Sequence, residues 1–96
     1  MKFAIIGATG NVGRKTINVL EKSNLNIDQL HLVASKSSSG KKIEFKSKNL
    51  TVVDLENYNF ENADITFFAA GSSIAEKYAK SASKKTIIID LSLIHI

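Results

Sequence analysis

The run KFAIIGATGNVG constrains this chain more than any other part of it, because Gly7, Gly10 and Gly13 stand three apart directly behind the apolar residues Phe3 to Ile6. Three of only five glycines are spent on that one spacing. A continuous apolar run, rather than an alternating one, marks a strand covered on both faces, as in a parallel sheet. From Asn11 to Lys22, the residues Val12, Thr16, Val19 and Leu20, with Ile17 beside them, recur at helical spacing and predict an amphipathic helix. In such a strand-glycine-helix unit the turn off the strand must be tight, a ligand must reach the backbone without meeting a Cβ, and the helix must pack closely on its strand. Gly7, Gly10 and Gly13 stand in the order of those tasks. Unpaired N–H groups of the first helical turn, near Gly10, Asn11 and Val12, then favour a diphosphate. Glycines that only make a tight loop are the alternative.

The rest of the chain repeats the alternation. His31 to Ala34 reads as a second strand, and SKSSSG from Ser35 to Gly40 has the composition of a turn. Ile43 to Phe45 and Thr51 to Leu55 read as short strands parted by the polar KSKN, and Glu56 to Asn62 as irregular. Ile65 to Ala69 predicts another buried strand that runs into small residues and Gly71. Ser72 or Ser73 is placed to cap a helix with Ile74, Ala75, Tyr78, Ala79 and Ala82 on one face, and Lys84 and Lys85 suit its C-terminus. Thr86 to Ile89 predicts a last strand, stopping at Asp90. Strands alternating with helices require crossovers, and crossovers give parallel neighbours. The expected fold is therefore α/β, an open, doubly wound, mostly parallel sheet of the Rossmann dinucleotide-binding type. A chain of 96 residues has room for one such core, here residues 1–90, and the domain is incomplete.

The end of the second strand bears on which dinucleotide fits. An NAD site places a carboxylate there to accept from the ribose 2′-hydroxyl, and that carboxylate would repel the 2′-phosphate of NADP. This chain offers Ser35, Lys36, Ser37, Ser38 and Ser39 and no acid, so NADP is the expected cofactor. A plain serine-rich turn has the same composition. Ala69 to Ser73, small residues at the end of a later strand, would let the cofactor lie across the strand ends, although they equally suit a helix cap.

Composition narrows the field further. With no cysteine there is no disulfide, no thiolate metal site and no sulfur nucleophile. The formal charge is +4, and Lys36, Lys41, Lys42, Lys46 and Lys48 crowd one segment against Glu44 alone. Only Phe45 interrupts them, so the cluster reads as a solvated hairpin face, with no nucleic-acid partner expected. No apolar run approaches the roughly 20 residues that span a bilayer, and MKFAII is too short for a signal-peptide core. The expectation is a soluble cytoplasmic protein without a membrane partner.

Four segments, GATGNVG, ASKSSSGKK, FFAAGSS and TIIID, together resemble the N-terminal part of bacterial aspartate-semialdehyde dehydrogenase, over residues 1 to about 90. The resemblance implies NADP-dependent reductive dephosphorylation of aspartyl phosphate, on the route to lysine, methionine and threonine, by a protein that is a homo-oligomer at full length. It implies that Thr9, Gly10, Asn11 and Val12 hold the pyrophosphate, that Ser37 and Ser38 lie at the 2′-phosphate, and that Ala70, Gly71 and Ser72 line the cofactor. Two departures stand out. The family commonly has arginine then serine where this chain has Ser37 and Ser38, so Lys36 or Lys41 would supply the charge without the bidentate fork of arginine. After Asp90 the family continues Asn-Ser-Ser, then a phosphate-binding arginine and the catalytic cysteine, whereas this chain reads LSLIHI.

Those six residues translate ctg tct ctt ata cac atc, the end of a transposon adaptor, and Leu91 to Ile96 are read as a non-native tail. Without the cysteine, no turnover is expected of the 96 residues alone. Alternatives are another NADP-dependent reductase, such as N-acetylglutamyl-phosphate reductase or an atypical short-chain dehydrogenase, a non-catalytic dinucleotide sensor, or a scaffold without a ligand. The short-chain class carries Tyr-x-x-x-Lys, and Tyr78 is followed at that spacing by Ala82.

Overall fold

The computed structural model describes residues 1–24, 26–70 and 72–91, with the backbone alone at 72, 73, 75, 79, 81 and 90. Strand β1 (Lys2–Ile6) leads through helix α1 (Asn11–Lys22) to β2 (Gln29–Ala34). A hairpin of β3 (Lys42–Phe45) and β4 (Lys48–Thr51) follows, then the two-residue β5 (Val53–Asp54), β6 (Ile65–Phe68), α2 (Ser72–Ser83) and β7 (Ile87–Asp90). The main sheet runs β5-β2-β1-β6-β7, and each of its pairings is parallel. Among the described residues no helix is long and apolar enough to cross a membrane.

The unbroken apolar run of β1 is explained by its central place in that sheet. Phe3 and Ile5 pack with Ile17 and Leu20 of α1 and with Leu30, Leu32 and Ala34 of β2. Ile6 faces the other way, toward Phe60, Phe68 and Ala82, with Ile74 and Tyr78 of α2 alongside. The steps from β1 to β2 and from β6 to β7 run in opposite directions across the sheet, so right-handed crossovers place α1 and α2 on opposite faces. Burial of a side chain such as Ile5 or Phe68, both fully enclosed, contributes roughly 1.5–3 kcal/mol each.

Three local features differ from the sequence expectation. In α1 the buried line is Gly13, Ile17 and Leu20, while Val19, expected on the apolar face, is 67% exposed. The stripe of Val12, Thr16 and Val19 is rotated toward β6, where it borders an open apolar groove of about 570 Å³ with Phe67 and Leu91. The second difference is the hairpin, which turns at Lys46 and Ser47 alone, both with positive φ (48° and 68°). Lys48 and Asn49, expected in a loop, pair with Phe45 and Glu44, and the expected strand from Thr51 to Leu55 divides between the hairpin and the main sheet. Third, the polar stretch before β6 is ordered by two single 3₁₀ turns, Leu55–Asn57 and Phe60–Asn62. Side-chain oxygens of Asp54 and Asn59 accept from the N–H groups of Glu56 and Glu61, both at 3.0 Å, and so open those turns. The second of them delivers Phe60 onto Phe68, with ring centroids 6.0 Å apart.

Two polar links tie strands to their neighbours. Thr66 of β6 and Thr86, just before β7, share a buried hydroxyl bond of 3.1 Å. On β2, His31 Nδ1 meets Tyr58 Oη at 2.7 Å and Nε2 meets Gln29 Oε1 at 3.0 Å. In the neutral imidazole, Nε2 donates to Gln29 Oε1 and Nδ1 accepts from the Tyr58 hydroxyl. Burial and the nearby Lys2 charge hold the His31 pKa below its ordinary value, and burial pushes that of Tyr58 up to about 12.

Candidate functional site

The strand order reverses at β1, whose chain goes to β2 on one side while β6 and β7 build the other. Ligands of open α/β sheets bind at such a point, outside the carboxyl ends of the strands. Here that position holds an open crevice of about 340 Å³, bordered by Gly7, Thr9 and Gly10 after β1, Ala34 and Ser35 at the end of β2, and Ala69 and Ala70 after β6. Leu55 and Ile74 complete its apolar lining. Sequence reading assigned neither to the site, because Leu55 reads as the end of a short strand and Ile74 as part of a helix face.

The three glycines differ in what requires them. Gly7 has φ +89°, and a Cβ there would stand 2.8 Å from the backbone of Ala70, so the turn off β1 presses against the end of β6. At Gly13 a Cβ would run into the Gly7 carbonyl oxygen and lie 2.9 Å from Ala8 Cα, which sets how closely α1 approaches β1. Gly10 is under no such demand. Its φ is −79° and a Cβ would meet nothing nearer than the Gly7 carbonyl oxygen at 3.5 Å. The fold alone would accept alanine at position 10, so the missing Cβ leaves room on the crevice side for a ligand to touch the backbone.

Around the start of α1 the donors are only partly used. Gly10 N–H, expected to be free, donates to the Gly7 carbonyl at 3.1 Å, and Arg14 N–H makes the first helical bond, to Gly10 at 2.9 Å. Among the described residues the N–H groups of Asn11, Val12 and Gly13 have no backbone acceptor. No side chain caps the helix and its first turn holds no acid, so nothing offsets the positive end of its dipole. Arg14 Nε donates to the Thr9 carbonyl at 3.2 Å and braces the loop from behind. Sequence reading passed over Arg14, whose only signal was its position one turn into the helix.

The turn after β2 is a single 3₁₀ turn, Lys36–Ser38, with no carboxylate in it. Its hydroxyls are engaged with one another or with the glycine loop. Ser35 and Ser37 share a bond of 3.1 Å, Ser39 Oγ donates to the Lys36 carbonyl at 2.8 Å, and Thr9 Oγ1 donates to Ser38 Oγ at 3.3 Å. The structure thus brings Gly7, Thr9, Gly10, Asn11, Val12, Lys36, Ser37, Ser38 and Ala70 to one end of the sheet, with Gly13 one turn behind. Gly71 lies outside the described residues, and Ser72 is described only as the first residue of α2. A second groove, of about 280 Å³, sits between the start of β2 and the hairpin, where Gln29 and His31 are bonded to each other beside Asp28, Lys46 and Lys48. Among the described residues no three or more His, Asp or Glu gather as a metal site.

With that geometry in hand, residues 2–94 match the family model described as semialdehyde dehydrogenase, NAD binding domain. An aspartate-semialdehyde dehydrogenase of Rickettsia bellii is 44% identical over 94% of this chain and 27% of its own length. A USG-1 protein homolog of Azotobacter vinelandii is 41% identical over the same shares. Among solved structures, the aspartate semialdehyde dehydrogenase II of Vibrio cholerae complexed with ASA superimposes with a TM-score of 0.90 at 34% identity, over 93% of this chain and 29% of that one. A probable aspartate-semialdehyde dehydrogenase of Pseudomonas aeruginosa gives 0.91 at 32%, over 96% and 28%. The chain therefore spans little more than a quarter of the length of these relatives.

Proposed function

Because the chain belongs to the family of semialdehyde dehydrogenase NAD-binding domains, we propose that it is the cofactor platform of an NADP-dependent aspartate-semialdehyde dehydrogenase. One observation carries the reading. Gly10 borders the crevice where the fold itself has no need of glycine, beside N–H groups that nothing else in the fold takes up.

In this reading the amides of Asn11 and Val12, with Thr9 and Gly10, hold the diphosphate, and the bare helix end supplies favourable charge. Gly7 and Gly13 shape the loop that presents them. Ser37, Ser38 and the exposed Lys36 ammonium receive the 2′-phosphate, where a carboxylate would have repelled it. Ala70, at the end of β6, lies beneath the cofactor, and the family resemblance assigns Gly71 and Ser72 to the same lining. When bound, NADP supplies the hydride chemistry that aspartyl phosphate reduction needs. The acyl group must first be taken by a nucleophile, and the chain has no cysteine to offer. The 96 residues therefore bind and orient without turning over, and the whole protein is a cytoplasmic homo-oligomer acting on a small acyl phosphate. The adaptor-like sequence of Leu91 to Ile96 supports a non-native origin for those six residues.

The test is a titration of the 96-residue chain with NADPH, followed by nucleotide fluorescence, against the same titration with NADH. Saturable binding with NADPH the tighter ligand is the expected result, and Gly10→Val should abolish it while leaving the far-ultraviolet spectrum intact. Tighter NADH binding would reject the assignment of Lys36, Ser37 and Ser38. A second reading, a dinucleotide-binding protein without dehydrogenase activity, draws on the match to a USG-1 homolog, whose name states no activity. A cysteine some 40 residues beyond Asp90 in the source gene decides between the two.

A further inference from the structure

We propose that Thr9 sets the preference for NADP over NAD, as a positioning residue that acts through Ser38. The inference rests on the cofactor reading above and assigns the Thr9 side chain to a different end of the cofactor from its backbone.

Thr9 Oγ1 donates to Ser38 Oγ at 3.3 Å, across 29 positions of sequence and in a half-buried setting. A serine hydroxyl has one proton to give and two lone pairs to receive with. Once Thr9 fills a lone pair of Ser38, the single Ser38 proton must be given elsewhere. Ser38 is thereby held as a donor, and accepting from threonine polarises it into a stronger one. A 2′-phosphate offers only acceptors, so it gains from a fixed donor, whereas a ribose 2′-hydroxyl can satisfy itself either way.

Two further contacts make the arrangement specific to Thr9. Arg14 Nε holds the Thr9 carbonyl at 3.2 Å, so the residue that orients Ser38 is itself fixed from the α1 side. The neighbouring pair, Ser35 and Ser37, is exposed and joined only within its own turn, without a link to the glycine loop. Ser38 is the hydroxyl of that turn whose orientation depends on the diphosphate loop. The diphosphate contact is left to backbone N–H groups, which NAD and NADP use alike.

The measurement is the affinity of the 96-residue chain for NADPH and for NADH, in four variants. Thr9→Val keeps the β-branched shape and removes the hydroxyl; it should weaken NADPH about tenfold more than it weakens NADH. Thr9→Ser should restore the NADPH value. Ser38→Ala, which removes the donor itself, should lose at least as much as Thr9→Val, and the double variant no more than Ser38→Ala alone, since Thr9 acts only through Ser38. Equal losses for the two nucleotides, or losses that add in the double variant, would overturn the proposal while leaving the cofactor reading standing. Failure of the unaltered chain to bind either nucleotide would overturn both.

Discussion

At the scale of single residues, the fold needs glycine at positions 7 and 13 and not at position 10. Gly13→Ala would drive a methyl group into the Gly7 carbonyl and against Ala8, and the only relief is to move α1 off β1. Overpacking of this kind costs about 1–3 kcal/mol. For a chain of this size a loss of ~2 kcal/mol lowers the melting temperature by roughly 8–16 °C. Gly10→Ala should shift it by no more than about 2 °C, since its φ is ordinary and its surroundings open. Thermal melts of the two variants side by side check the contrast, and an equal loss at position 10 would mean that the glycine serves packing after all. The tasks of Gly7 and Gly13 were legible in the sequence because a strand, a helix and a fixed spacing leave few geometries. Which amides stay free was not legible, since it depends on how the turn closes: Gly10 is used up by its bond to Gly7, and Gly13 is added instead.

Single elements show a different balance. β1, α1, β6 and α2 were readable from apolar pattern alone, to within a residue or two at their ends. The hairpin was not, because KSKN has the composition of a loop while only Lys46 and Ser47 turn, and nothing in a lysine or a serine announces positive φ. That backbone state disfavours L side chains by roughly 1–2 kcal/mol per residue. Lys46→Asn with Ser47→Gly supplies the pair that such a two-residue turn prefers, so the double variant should gain about 1 kcal/mol, read as a denaturant midpoint shifted upward at unchanged slope.

The link from β2 to Tyr58 makes stability depend on pH in two windows. Folding lowers the His31 pKa from 6.5, so below that value the unfolded chain binds more protons than the folded one, and stability present above 6.5 is lost as pH falls. Tyr58 is raised from 10 to about 12, so its contribution is complete below pH 10 and disappears as pH climbs through that interval. His31→Phe should flatten the acid window and leave the alkaline one, as urea midpoints measured between pH 5 and 7.5 and above pH 9.5 would show. An acid window that persisted in that variant would place the titration elsewhere.

Over the whole molecule, the two faces of the sheet are unequally covered. On the α2 side, Ile6, Phe68 and Ala82 are fully enclosed and Leu55 and Phe60 nearly so. On the α1 side, a single helix lies over β1 and β2, and the neighbouring strands are left partly bare: Phe67 is half-buried, and Ile87 and Ile89 of β7 are 63% and 37% exposed. Val19, Phe67 and Leu91 line the groove beside α1, and Ile87 and Ile89 pair with Ile65 and Phe67 in the neighbouring strand. Helix axes pack 8–10 Å apart and strands lie about 4.8 Å apart, so one helix shelters about two strands and a second would be needed over β6 and β7. Exposed apolar surface joined to an unpaired sheet edge promotes association. The 96-residue chain is accordingly expected to gain mass with concentration in light scattering between about 10 and 500 µM. Val19→Glu and Ile87→Lys place charges on that region without disturbing a packed side chain, so together they should hold the chain monomeric over the whole range and leave NADPH affinity unchanged. Association that survived both charges would have to use another surface, and the bare face would then be tolerated in water as it stands.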